Sequence, residues 1–289
     1  MPDTLYVVAP PSTRETLTPW MAAHRIRRPV VATDRLPAPA ELRAAVAVFV
    51  VGERPAGLFL HDDQGRRVPL GGVRQVTPEF VRTAATVASR RGGAASAALL
   101  AQRSERALAL AQEAAEMFRP QALFRWEADR LAYFRVREAL ATGLGALWYV
   151  GQGSALGWPA YGGIEAPGLC WQAPTAGVFS VTCASGQAGG FCEQLVENGF
   201  CAAAFGAAGL TSHQRNRRLC LALARSYAEQ AEPWMGRVVA GAGTSWLSLA
   251  GYRLIGDPLA PLLEAEGASE RAARVYAPNP NAAVDAATA

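Results

Sequence analysis

The sequence predicts an α/β protein in which a mostly parallel sheet carries helices on both faces. Short apolar runs alternate with amphipathic helical stretches along the 289 residues, and several runs end in turns of small residues. This alternation continues without a break, and no repeat of fixed period interrupts it. It therefore favours one α/β domain, which we place at residues 1–275 with an N-terminal subdomain at 1–118.

The chain opens with a β-α-β unit and continues with strands. In order, the predicted elements are strands at 5–11 and 29–33 around a helix at 12–25, then strands at 45–53 and within 56–70. The last of these segments contains Asp63-Gln64-Gly65, a turn sequence that predicts the tip of a hairpin.

Helical periodicity follows from residue 77. Thr77 is a predicted N-cap with Pro78 in the first turn. The predicted helices cover residues 77–91, 104–118 and 128–143. The last of them ends on Gly143 and leads directly into the next apolar run.

The second half repeats the strand-turn-helix plan. Its predicted strands are at 146–150, 177–183 and 200–207, and its helices are at 191–199 and 215–231. The run at 252–258 ends in Gly-Asp-Pro, which predicts a last strand with Leu254 and Ile255 buried and Asp257 orienting the next turn. Residues 276–289 have the composition of a disordered tail.

Composition narrows the function classes. The net charge is +4 and all 28 basic residues are arginines, but they are scattered, so we expect no nucleic-acid partner. No run approaches the roughly 18 apolar residues of a membrane span and no export signal starts the chain, so we expect a cytoplasmic protein without a membrane partner. The five cysteines lack metal-ligand spacing. We expect free thiols, no metal and no cofactor.

Two strand ends carry the candidate chemistry. The strand at 146–150 runs into Gly151-Gln152-Gly153-Ser154, and the strand at 177–183 ends at Cys183 before a turn that precedes a helix. If the two strands are neighbours, their carboxyl ends place Gln152 beside Cys183. Backbone amides of Gly153 and Cys183 would then be placed to hold an oxyanion, and the helix end would favour a reactive cysteine. Alternatively, Cys183 is an ordinary core thiol at a strand end.

Three segments resemble the gingipain-type cysteine peptidases, a branch of the caspase-like proteases. They are ALATGLGALWYVGQGSALGW, VFSVTCASG and YRLIGDPLAPL, and the similarity extends from residue 1 to about residue 262. The resemblance implies a caspase-like three-layer sandwich with Cys183 as nucleophile and a histidine at position 152. This chain has Gln152 there instead.

Glutamine has no accessible pKa, so Gln152 can hydrogen-bond a thiol but cannot act as its base. Two alternatives would still make the protein a peptidase. In the first, Gln152 was introduced to trap a complex, and in the second, another residue acts as the base. Of the three histidines, His24 is expected at the surface, and His61 adjoins the predicted hairpin tip. His213 lies after the strand at 200–207, where the resemblance places the specificity pocket, so Thr211, Ser212 and His213 are the candidates for an alternative base or pocket wall. A solvated or helix-capping role for His213 competes with that interpretation.

These observations lead to two functional hypotheses. The first is a catalytically impaired peptidase-like protein that binds a peptide or protein partner through the former substrate cleft. The second is an active cysteine endopeptidase with Cys183 as nucleophile and His213 as relocated base. A purely structural subunit is a third hypothesis, which draws on the helices between residues 78 and 118, and the segment LAYFRVREAL could also present an apolar face to a partner.

Overall fold

The computed structural model describes residues 2–53, 55–118, 122–128, 136, 138, 140–160, 163–166, 173–242 and 249–276. The strands are β1 Thr4–Val8, β2 Val30–Thr33, β3 Ala45–Val51, β4 Phe59–His61, β5 Arg67–Val73, β6 Ser96–Ala101, β7 Ala122–Arg125, β8 Ala146–Val150, β9 Gly157–Trp158, β10 Ile164–Glu165, β11 Thr175–Val181, β12 Cys201–Ala207 and β13 Tyr252–Gly256. The helices are α1 Pro11–Thr16, α2 Thr18–Arg25, α3 Pro78–Ala88, α4 Glu105–Met117, α5 Phe191–Glu197, α6 His213–Ala228, α7 Met235–Gly241 and α8 Ala268–Tyr276.

One central sheet organises the fold, in the order β2-β1-β3-β5-β13-β12-β11-β8-β6-β7 with β4 paired to β5. Strand β13 is antiparallel to both of its neighbours, and β4 is antiparallel to β5. The other pairs in the sheet are parallel. The predicted mostly parallel sheet is therefore confirmed.

Helices cover the sheet in two layers. Helices α2, α3 and α5 pack in one group, whereas α4, α6 and α7 pack in another. Every residue of the central strands β11 and β12 is buried, as expected for parallel strands that are covered on both faces. Trp148 of β8 stacks on Phe179 of β11 with ring centroids 3.9 Å apart, so aromatic packing holds together the two strands that lead to the site.

Several local predictions are confirmed. The hairpin of β4 and β5 turns at the predicted tip, and the Thr77 side chain caps α3 by accepting from Phe80 N at 3.1 Å. Leu254 and Ile255 are buried in β13, and Asp257 Oδ1 accepts from Leu259 N at 2.8 Å.

The structure also differs from the sequence-based prediction. The sequence did not predict β6, and the helix expected at 12–25 is broken into α1 and α2 at Leu17. Most of the helix expected at 128–143 and the tail from residue 277 lie outside the described residues, so these remain predictions. None of the helices in the described part of the chain has the length and apolar character needed to cross a membrane.

Candidate active-site cleft

The two predicted strand ends meet at one edge of the sheet. Strands β8 and β11 pair in parallel with Val150 opposite Val181, so the turns after them leave the sheet side by side. Gly153, in the first turn, packs directly against Thr182, the residue before Cys183. The expectation that Gln152 and Cys183 follow adjacent parallel strands is confirmed.

The thiol of Cys183 is half-buried, and among the described residues its hydrogen-bond partner is Thr211. Thr211 N donates to Cys183 Sγ, and the carbonyl and hydroxyl oxygens of Thr211 also lie within reach of the sulfur, each at 3.4 Å. Among the described residues, no imidazole nitrogen is hydrogen-bonded to Cys183 Sγ. The sulfur is therefore positioned by the loop after β12 and not by a histidine.

The backbone around Cys183 has an unusual conformation. Ala184 has φ 53°, and it is the one non-glycine residue with a positive φ in the described part of the chain. Its amide donates to Gly209 O at 2.9 Å, whereas the amides of Cys183 and Gly153 have no acceptor among the described residues. These two amides remain available to an oxygen atom of a ligand. Helix α5 begins at Phe191, after the turn at 184–190, as predicted for the helix that follows Cys183.

The backbone of Gln152 is fixed from both sides. Its amide donates to Gln102 Oε1, and its carbonyl accepts from the Tyr149 hydroxyl, both at 2.9 Å. The ring of Tyr149 stacks on Trp158 at 4.4 Å, and burial raises the pKa of its phenol, so the hydroxyl remains a donor at neutral pH. The side chain of Gln152 is exposed. These two hydrogen bonds hold the residue in place at the end of the strand next to the one that leads to Cys183.

A cavity of about 520 Å³ opens over these strand ends, and Gln152, Gly153, Cys183, Thr211 and His213 all line it. Ser212 does not line the cavity, because its hydroxyl caps α6 by accepting from Arg215 N at 3.2 Å. His213 is the exposed first residue of α6 and not part of the preceding loop as predicted. The structure thus brings all the predicted site residues except Ser212 to one cavity, and Ser212 caps a helix instead.

The prediction that His24 lies at the surface is wrong. Only 3% of it is exposed, and its Nε2 lies 2.9 Å from Asp257 Oδ2. Asp257 follows β13, whose direction is opposite to that of β11, so this pair lies at the other edge of the sheet from Cys183. His61, next to the predicted hairpin tip, is exposed at the end of β4.

Several residues that line the cleft were not predicted as site residues from the sequence, and three of them matter for ligand binding. Gln102 and Arg106 come from the end of β6 and the start of α4, and Asn216 comes from the first turns of α6. The signal for Gln102 is its place directly after the apolar run SAALLA, which forms β6 but was not predicted as a strand. In the described residues, no group of three His, Cys, Asp or Glu side chains is arranged to hold a metal ion.

The sheet order and the two strand-end turns define the fold of a caspase-like cysteine proteinase. Among solved structures, the chain is similar to the Arg-specific cysteine proteinase gingipain R (RgpB), with a TM-score of 0.68 and 14% identity over 91% of this chain and 78% of that one. The complex of the RgpB pro- and mature domains from Porphyromonas gingivalis has a TM-score of 0.67 and 15% identity, over 89% and 79%. A further structure, described as a protease, has a TM-score of 0.66 and 13% identity, over 90% and 79%.

At these identities the likeness concerns the fold. No protein-family model and no curated protein matches the sequence.

Proposed function

We propose that this protein is a catalytically impaired member of the cysteine-peptidase fold that binds a peptide segment of a partner in the cleft beside Cys183. One observation carries the proposal: the strand end that faces Cys183 presents Gln152, and the sulfur itself is hydrogen-bonded to Thr211 alone among the described residues. A thiol without a neighbouring base lacks the partner that would take its proton and later protonate the leaving amine.

The expected loss of hydrolysis is large. Removing one member of a catalytic triad lowers the rate by roughly 10⁴-fold or more, because the remaining groups act only as binding elements. An amide at position 152 can still donate and accept hydrogen bonds, so binding survives where proton transfer does not.

The cleft keeps features that suit an extended peptide. The amides of Gly153 and Cys183 have no acceptor in the described part of the chain, and they can bind a peptide carbonyl. Leu210, at the wall of the cavity, is 90% exposed, which supports an apolar contact with a partner.

The test compares wild type with Gln152→His on a broad panel of fluorogenic peptides. We expect no cleavage by wild type and weak hydrolysis by Gln152→His, because the nucleophile and the oxyanion donors are in place. Gln152→Ala is the matched control and stays inactive, and adding Cys183→Ala to Gln152→His removes the new activity. Peptide binding is tested separately: a bound peptide should slow the alkylation of Cys183, which mass spectrometry measures.

The second hypothesis, an active endopeptidase with a relocated base, rests on one observation. His213 lines the same cavity as Cys183 and makes no side-chain hydrogen bond within the described residues. Robust turnover by wild type, abolished by Cys183→Ala and by His213→Ala but retained by Gln152→Ala, would establish this peptidase and refute the impaired one.

A further inference from the structure

We propose that the cleft binds its peptide through an acidic side chain, an aspartate or glutamate, held between Arg106 and the first turn of α6. This inference rests on the proposed function, because it names the chemical class of ligand for the same cleft.

The charge of the cavity wall is the first argument. Arg106 and His213 line the cavity, and no carboxylate does so among the described residues. Arg106 is exposed and makes no ion pair with any described residue. A basic ligand would find no counter-charge here, whereas an acidic side chain would meet a guanidinium, which binds carboxylates with two parallel hydrogen bonds.

Two helices direct their N-terminal ends to the same cavity. Helix α4 begins after Ser104 and α6 begins with His213, and both of these residues line the cavity. Each N-cap serine accepts from one amide, that of Ala107 in α4 and that of Arg215 in α6, so other first-turn amides remain free for a ligand. The N-terminal ends of helices carry partial positive charge, which adds to the preference for an anion.

A buried amide supplies an independent argument. Asn216 lines the cavity although only 8% of it is exposed. Its Oδ1 accepts from the Tyr252 hydroxyl at 2.5 Å, and Nδ2 has no acceptor among the described residues. The Tyr252 contact therefore leaves Asn216 as a donor at the cavity wall, which suits a carboxylate oxygen.

The experiment uses the full chain and pools of N-acetylated, C-amidated hexapeptides in which one position is fixed as Asp, Glu, Lys, Arg or Leu. Blocked termini ensure that only side chains carry charge. Binding is measured by fluorescence anisotropy, and protection of Cys183 from iodoacetamide reports where the peptide lies. We expect Asp or Glu pools to bind about tenfold more tightly than Lys or Arg pools, the scale of one charge-assisted hydrogen bond.

Two variants assign the preference to the cleft. Arg106→Gln should lower the affinity for the acidic pools about tenfold and leave the Leu pools unchanged. Asn216→Asp, which keeps the shape of the side chain but replaces a donor by a negative charge, should do the same. Arg103→Gln is the matched control, because Arg103 is exposed just before α4 and does not line the cavity.

The outcomes separate this inference from the proposed function. Tighter binding of the Lys or Arg pools, or equal binding of all pools, would overturn the acidic ligand while leaving a peptide-binding cleft. An acidic preference that survives Arg106→Gln would overturn the site between Arg106 and the first turn of α6, and with it this inference. If no pool binds and none protects Cys183, the proposed function fails together with this inference.

Discussion

Gly153 and Thr182 lie in direct contact where the two site-bearing strands end. A Cβ placed on Gly153 would be 1.7 Å from Thr182 Oγ1 and 2.7 Å from Thr182 Cβ. No side chain fits between them, so only glycine allows the turn that carries Gln152 to approach the turn that carries Cys183. The close approach of the two turns therefore requires a glycine at position 153.

Gly153→Ala should destabilise the protein by about 1–3 kcal/mol, the usual range for overpacking a tight contact. Urea unfolding measures the loss. Gly209→Ala is the control, because an added Cβ there meets nothing within 4 Å. Equal stability of the two variants would show that the turns separate at little cost and would contradict the tight contact.

The sequence was sufficient to predict the strands that carry the site. Apolar runs that end in turns of small residues identified β8 and β11, and parallel pairing then placed Gln152 near Cys183. In contrast, β6 is the alanine-rich run SAALLA without β-branched residues, so its propensity for a strand is weak and Gln102 at its end went unnoticed.

Tertiary contacts explain the error on His24. Near the end of a helix and followed by three arginines, His24 has the local sequence of a surface residue. Its actual environment is set by Asp257, which lies 233 positions further along the chain. No periodicity within α2 could indicate such a partner.

The buried carboxylate of Asp257 should be a major determinant of stability. It is fully buried and accepts from Trp20 Nε1 at 3.0 Å and from Leu259 N at 2.8 Å, in addition to its contact with His24. Asp257→Ala would leave these groups without their acceptor in the core, and we expect a loss of about 3–5 kcal/mol in the free energy of unfolding.

Asp63→Ala is the control for Asp257→Ala. Asp63 pairs with Arg43 at the exposed surface, where an ion pair contributes about 0–1 kcal/mol. Chemical denaturation at neutral pH compares the two variants. Similar losses would mean that water or a rearranged side chain replaces the Asp257 carboxylate.

Buried thiols should make the protein sensitive to alkaline pH. Burial raises the pKa of Cys220 from 9.0 to about 12, so the folded state holds this proton when the unfolded chain releases it. The stability that this thiol contributes is present below pH 9 and is lost as the pH rises towards 12.

Cys220→Ala removes that titration. Between pH 9 and 11 the wild type should therefore lose about 2 kcal/mol more stability than Cys220→Ala. The free energy of unfolding falls by up to about 1.36 kcal/mol for each pH unit over which the unfolded chain releases the Cys220 proton and the folded state keeps it. Urea unfolding at several pH values measures both proteins, and because the comparison concerns slopes, a constant cost of the substitution does not affect it. Parallel curves would contradict the linkage.

The hydroxyl of Tyr149 should restrain the loop that presents Gln152. Tyr149→Phe deletes the hydrogen bond to Gln152 O and keeps the ring that stacks on Trp158, so we expect a loss of about 1 kcal/mol and faster hydrogen exchange at residues 152–157. Tyr6→Phe is the matched control, since the Tyr6 hydroxyl bonds Glu41 O at 3.4 Å, away from the cleft. Exchange measured by mass spectrometry should rise in the loop for Tyr149→Phe alone. Unchanged exchange would mean that the hydrogen bond from Gln152 N to Gln102 is sufficient to hold the loop, and that the phenol does not contribute to presenting Gln152.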